Sequence, residues 1–140
     1  MKILIIDGQG GGIGKAVIES LKRELNDIEI IAVGTNSLAT SSMLKAGATY
    51  AATGENAVIY NAKYADIILG SIGISFANSM HGEISPKMAQ AVCESAAHKI
   101  LIPVSKCNVS VLGVVERPIA QYLIELIEKI KIMCIDFNKK

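Results

Sequence analysis

Residues 7–15, Asp7-Gly8-Gln9-Gly10-Gly11-Gly12-Ile13-Gly14-Lys15, carry the clearest chemical signal in the chain. Between Gly8 and Gly14, five of the seven residues are glycine. Backbone without side chains can approach a phosphate closely, and a following helix aims its first N–H groups at the anion. Each glycine costs about 0.5–1 kcal/mol of conformational entropy relative to alanine, and a bare turn needs only one or two. The loop therefore points to a nucleotide or other phosphate-bearing small molecule. Its expected contacts are Gly8, Gln9, Gly10, Gly11, Gly12, Ile13 and Gly14. A tight strand-to-helix turn without a ligand is the alternative.

The elements around the loop suit the first reading. Ile3–Ile6 is an unbroken apolar run, as in a parallel strand buried on both faces. Ile13, Val17, Leu21 and Leu25 recur every four residues with charges between them, which predicts an amphipathic helix. Ile28–Val33 follows as a second strand, closed by Gly34. Ser37–Ala46 reads as a second helix, and a short strand is expected near Tyr50–Ala52. Residues 55–64 suit either a short helix or a strand. Ile67–Leu69 reads as the next strand. Ser85-Pro86 reads as an N-cap with proline at the first helical position, opening a helix to about Ala97. Ile100–Val104 is expected as a strand, with Pro103 at an edge or a strand end. Val111–Val115 suggests a further strand. A last helix opens at Pro118, with Glu125 and Lys129 spaced for an ion pair. Alternation of this kind predicts one α/β domain over residues 1–140, a three-layer Rossmann-like fold with a mainly parallel sheet.

Known glycine motifs narrow the loop's meaning. A strict G-x-G-x-x-G fails, because Ile13 or Lys15 stands where the third glycine belongs. A Walker A loop fails too, because Gln9 replaces its first glycine and Ala16 its Ser or Thr. The spacing of Gly8, Gly12 and Gly14 is G-x-x-x-G-x-G. It resembles the fingerprint of the short-chain dehydrogenases over roughly the first forty residues. That resemblance implies a Rossmann-type NAD or NADP site. An NAD site expects an acid after the second strand to hold the ribose hydroxyls. This chain has Gly34-Thr35-Asn36-Ser37 there, with no acid and no arginine. Thr35 and Asn36 are neutral candidates for a ribose or phosphate, and Asn36 or Ser37 equally suits a helix cap. No tyrosine has a lysine four residues on, so the family's Tyr-x-x-x-Lys chemistry is not implied.

Two further loops leave the expected ligand edge. Gly70-Ser71-Ile72-Gly73 follows the Ile67–Leu69 strand and offers Gly70 and Ser71 as contacts. Ser105-Lys106-Cys107-Asn108 offers Cys107 as a weak candidate nucleophile, because a neighbouring lysine favours the thiolate. His81-Gly82-Glu83 reads as a solvated loop, with a lid or an acid–base pair as the alternatives. Asp7 reads as a support for the glycine loop, with metal contact the less simple role.

Composition bounds the function. Hydrophobic residues make up 51% of the chain and charged residues 19%, so a packed core is expected rather than disorder. That apolar fraction suggests a homodimer with a buried helix face. A net charge of +1 without a basic run argues against nucleic acid. No apolar run reaches membrane-spanning length, and Met1–Ile6 reads as a strand rather than a signal peptide. Three scattered cysteines fit neither a disulfide framework nor a metal site. A cytoplasmic compartment is expected.

The whole chain also resembles a small uncharacterised bacterial family. The segments that carry this are Ile5–Gly14, Ala32–Asn36, Met43–Ala48 and Ile102–Val104. The resemblance implies a single cytosolic domain and adds no chemistry. The expectation is a nucleotide- or dinucleotide-binding protein, with a sensor or accessory subunit as its role. A small enzyme (an oxidoreductase or Cys107-dependent transferase) and a structural subunit are the alternatives.

Overall fold

The computed structural model describes residues 1–104 and 108–140. Strand β1 (Lys2–Asp7) is followed by helix α1 (Gly12–Glu24), β2 (Glu29–Gly34), α2 (Ser37–Lys45) and β3 (Tyr50–Thr53). The second half holds α3 (Glu55–Ala62), β4 (Ile67–Ser71), a 3-10 turn at Ile72–Ser75, α4 (Pro86–Glu94), β5 (His98–Ile102) and α5 (Ile119–Asn138). The five strands form one sheet in the order β3-β2-β1-β4-β5, and every pairing is parallel.

The pleat of β1 sorts the core. Ile3 and Ile5 face one side, packed with Val17, Ile18 and Leu21 of α1, Met43 of α2, and Tyr122, Leu126 and Ile130 of α5. Leu4 and Ile6 face the other, packed with Val58 and Ala62 of α3 and Met88 and Val92 of α4. Side chains alternate faces at period two, so an unbroken apolar run is what a strand covered on both sides requires. The sheet is thus the middle of three layers.

Chain order makes a ligand edge. From β1 the chain proceeds outward to β2 and β3, then returns to place β4 on the opposite side of β1. The carboxyl ends of β1 and β4 are therefore where the connections diverge, and crevices form at such switch points.

Several local expectations need correction. Residues 55–64 resolve as helix α3, with Val58 and Ala62 one turn apart on the core face. Helix α4 ends at Glu94 rather than Ala97, because Ser95 is extended. Its hydroxyl donates to Ala62 O at 2.5 Å and accepts from Ala97 N at 3.1 Å. Val111–Val115 forms no strand; it is a largely exposed strap, turned at Val111–Val114. Glu125 pairs with Arg117 at 2.9 Å, not with Lys129. Ser85 and Pro86 open α4 as expected, with Ser85 Oγ accepting from Met88 N.

Helix α5 supplies a direct check on the layer assignment. Ile130 is fully buried and Ile132 is 61% exposed. Ile130→Ala is expected to cost about 2–5 kcal/mol, and Ile132→Ala no more than about 0.5 kcal/mol. Urea unfolding of the two variants measures both.

Candidate functional site

The glycine loop is organised by Asp7, the last residue of the central strand. Its side chain turns back along the loop, where Oδ1 accepts from Gly8 N at 2.8 Å and Oδ2 from Gly14 N at 2.7 Å. Its carbonyl accepts from Thr35 N at 3.0 Å. Asp7 is only 5% exposed. Burial pushes its carboxyl above the ordinary range, and the negative Glu83 nearby adds to that, while the Gly14 and Gly8 bonds oppose it. Asp7 thus serves as an internal anion at the start of α1, a place that favours negative charge. Its two bonds to Gly8 and Gly14 brace the loop.

The five glycines divide into two sets. A Cβ on Gly8 would lie 2.7 Å from Thr35 Oγ1 and 2.8 Å from Met80 Sδ. One on Gly11 would lie 2.9 Å from the backbone of Ala39, at a residue with φ of +75°. One on Gly14 would collide with the Met43 side chain and approach Asp7 Cβ at 3.1 Å. These three glycines let α1, α2 and a later loop close on one point. The premise that a turn has no structural need for so many glycines therefore fails at three positions. Gly10 and Gly12 differ: both are exposed, and a Cβ on either would meet nothing within 4 Å. Among the described residues nothing accepts from their N–H groups.

The expected contacts after β2 are already engaged. Asn36 caps α2, with Oδ1 accepting from Ala39 N at 2.9 Å. Its Nδ2 donates to Gln9 O at 2.9 Å and to Glu83 Oε1 at 2.6 Å. Thr35 Oγ1 donates to the same Glu83 oxygen at 2.8 Å. Gln9 N–H also points at this carboxylate, 3.1 and 3.2 Å from its two oxygens. Partial burial pushes the Glu83 carboxyl up, but the bonds from Asn36, Thr35 and Gln9, with His81 nearby, outweigh it and hold the group below the ordinary range. Glu83 was expected on a solvated loop; it is instead the acid that the end of β2 lacks, delivered from the connection between β4 and α4. An isolated acid on an aperiodic loop gives no signal in a sequence. The only cue was a pair of neutral donors, Thr35 and Asn36, without a local acceptor.

Beyond Gly8 the ligand edge opens into a cleft of about 950 Å³, within the size range of small-molecule sites. One wall is Asp7, Gly8, Gln9 and Ile13; the floor is Ser71 and Ile72; the far wall includes Arg117 and Tyr122. Ser71 is buried at the end of β4. The Arg117 guanidinium lies 4.4 Å above the Tyr122 ring and is held by Glu125. Thr35 and Asn36 lie outside this lining, on the β2 side of Glu83. Gly70 is buried in the sheet, where a Cβ would sit 2.8 Å from Ile6 O. Cys107, with Ser105 and Lys106, lies outside the described residues. A smaller cavity of about 520 Å³ runs along β5 beneath Gly113–Val115, sharing Arg117 and Tyr122 with the cleft. It lies away from the glycine loop. No helix among the described residues is long and apolar enough to cross a membrane.

The chain belongs to the family described as Domain of unknown function (DUF3842), whose model matches residues 2–134. No curated protein matches it. Among solved structures it is similar to a dodecameric FMN-dependent UbiX-like decarboxylase from Escherichia coli O157:H7. The identity is 16%, the match covers 92% of this chain and 76% of that one, and the TM-score is 0.48.

The two sets of glycines make opposite predictions. Gly14→Ala is expected to destabilise by about 1–3 kcal/mol, because Met43 must shift. Gly12→Ala is expected to be neutral or to stabilise by up to about 1 kcal/mol. Asp7→Ala strands two buried N–H groups and is expected to cost about 2–4 kcal/mol. Chemical denaturation at neutral pH distinguishes all three. The raised Asp7 carboxyl also sets a sign. Its contribution to stability is complete below the ordinary aspartate value and is lost as pH rises through its folded value.

Proposed function

We propose that this protein binds a nucleotide or another small phosphate-bearing molecule in the cleft between the glycine loop and Ser71. The observation that carries the reading is the placement of Gly10 and Gly12. They sit at the N-terminus of α1, exposed, with N–H groups that no described residue uses and with no packing reason to be glycine. Their loop flanks a cleft at the point where β1 and β4 diverge. An anion placed there gains from the helix N-terminus and meets no side chain on approach.

Each residue then has a task. The amides of Gly10 and Gly12, flanked in the chain by the cleft-lining Gln9 and Ile13, hold the phosphate. Gln9 and Ser71 offer polar contacts from opposite sides of the cleft. Arg117, stacked on Tyr122, brings positive charge and a planar surface to the far wall. NAD and NADP are members of the ligand class, and the role this reading carries is that of a sensor or accessory subunit. The Glu83 carboxylate, bonded to Thr35 and Asn36, keeps the β2 side of the loop negative. A phosphate therefore favours the cleft side.

Native mass spectrometry of the protein as purified tests the reading first, because a bound nucleotide appears as added mass. A thermal-shift panel of adenosine 5′-diphosphate, NAD, NADP and FMN tests it second. Ligand at a hundredfold over its dissociation constant adds about 2.7 kcal/mol of stability, a shift of several degrees in a domain of this size. Gly12→Asp puts a carboxylate at the proposed phosphate position without a steric clash. It is expected to preserve stability and to weaken phosphate-ligand binding at least tenfold. No added mass together with no shift from any of the four ligands would falsify the reading.

A further inference from the structure

The contact between Glu83 and the glycine loop has the construction of a closed latch. The donors it satisfies, Gln9 N–H, Thr35 Oγ1 and Asn36 Nδ2, come from two different loops and converge on one carboxylate. A backbone N–H, a hydroxyl and an amide NH₂ aimed at one point make an anion receptor, and Glu83 fills it. We propose that the Met80–Glu83 tip is a lid whose Glu83 carboxylate stands in for an anionic group of the ligand, closing the β2 side of the site until an anion displaces it.

Three observations support a lid rather than a fixed wall. The first is where the hydrogen bonds run. The segment from Phe76 to Ile84 is bonded internally: Asn78 N donates to Ile84 O at 2.7 Å, Gly82 N to Asn78 O at 3.1 Å and Ile84 N to Ser79 O at 3.2 Å. Ser79 Oγ anchors it to Gly73 O, and Ile84 is buried. Among the described residues, every hydrogen bond from this segment to the ends of β1 and β2 passes through the Glu83 carboxylate. Releasing that side chain removes every hydrogen bond from the tip to the ends of β1 and β2, leaving the packing of Met80 as the hold that opening must also loosen.

The second is the backbone of the tip. Met80 and His81 have φ of 56° and 57°, and Gly82 has φ of 90°. Two adjacent non-glycine residues in the left-handed region are held against their preference, and such strain gathers in segments that switch.

The third is position. Met80 Sδ and Glu83 Oε1 both press on Gly8, where a Cβ would lie 2.8 and 3.5 Å from them. A ligand reaching from the cleft across Gly8 toward Thr35 must cross this spot. An anion and the Glu83 carboxylate cannot share it, because like charges at that separation repel strongly. Asp7 lies nearby; burial is what chiefly raises its carboxyl, and the Glu83 charge adds to that.

The inference extends the nucleotide reading but is tested apart from it, with inorganic pyrophosphate as a probe that has no nucleoside. Calorimetric titration compares wild type with Glu83→Ala, which empties the receptor, and Glu83→Gln, which removes the charge and keeps an acceptor. Pyrophosphate affinity is expected to rise at least about tenfold in Glu83→Ala, as when a closed form outweighs the open one by that factor, and by less in Glu83→Gln. Hydrogen exchange at the Gln9 amide is expected to quicken in both variants without ligand and to slow again when pyrophosphate binds. Unchanged or weaker pyrophosphate binding in folded Glu83→Ala overturns the lid. Tighter pyrophosphate binding with no response to adenosine 5′-diphosphate or NAD in any form upholds the lid and rejects the nucleotide reading.

Discussion

Everything at the ligand edge depends on the placement of one buried carboxylate. Asp7 ends the central strand and holds the amides of Gly8 and Gly14 together, so the chain must turn into α1 over the four residues Gly8–Gly11. That bracket sets the start of α1. It also sets Gly14 so close to Asp7 Cβ and Met43 that only glycine fits. Through Met43 and Ala39 the same constraint reaches α2, and through the Asp7 carbonyl it reaches Thr35. A buried carboxylate without partners would be costly. Here two backbone N–H groups and the positive end of α1 offset that cost, although burial still lifts the carboxyl above its ordinary range.

The bracket changes what the glycines mean. A glycine-rich strand-to-helix loop invites the inference that each missing side chain makes room for a phosphate. In this chain Gly8, Gly11 and Gly14 make room for the protein itself: a lid residue, the backbone of α2 and a core methionine. The internal anion then does part of the work that a bound phosphate does in an open loop. Among the described residues, only Gly10 and Gly12 of the five retain unused N–H groups and open space. The loop's ligand-binding capacity is therefore narrower than its composition suggests, and it is concentrated at the start of the helix.

The sheet was legible in the sequence because its strands are buried on both faces and stand out as apolar runs. Ile3–Ile6, Ile28–Val33 and Ile67–Leu69 are the three central strands, and each lies within a residue or two of its observed bounds. Ser85-Pro86 was legible because cap chemistry is local. Val111–Val115 misled because apolar β-branched residues read the same in a strand and in an exposed strap. What separates the two is a pairing partner, and none is supplied by β5 to this segment. The end of α4 misled because a tertiary bond, Ser95 to Ala62 O, overrides a helical pattern that sequence alone extends. Of the expected contacts, Gly8, Gln9, Ile13 and Ser71 line the cleft, whereas Gly10, Gly11, Gly12, Gly14 and Gly70, like Thr35 and Asn36, lie outside its lining. Glu83 was not legible, because its partners are 47 and more residues away and nothing periodic marks it.

Thr35 and Asn36 show how the edge is partitioned. Every polar atom of the Asn36 side chain is engaged, in capping α2, in holding Gln9 O and in holding Glu83. The β2 half of the edge is thus closed by protein groups, and the β4–β5 half is open as a cleft of about 950 Å³. The open half has the volume of a small-molecule site. A dinucleotide laid across Gly8 must replace three charge-assisted hydrogen bonds with its own, and only an anionic or strongly accepting group can do so without leaving those donors unsatisfied. The same three donors that shut the β2 half therefore define the chemistry of whatever opens it.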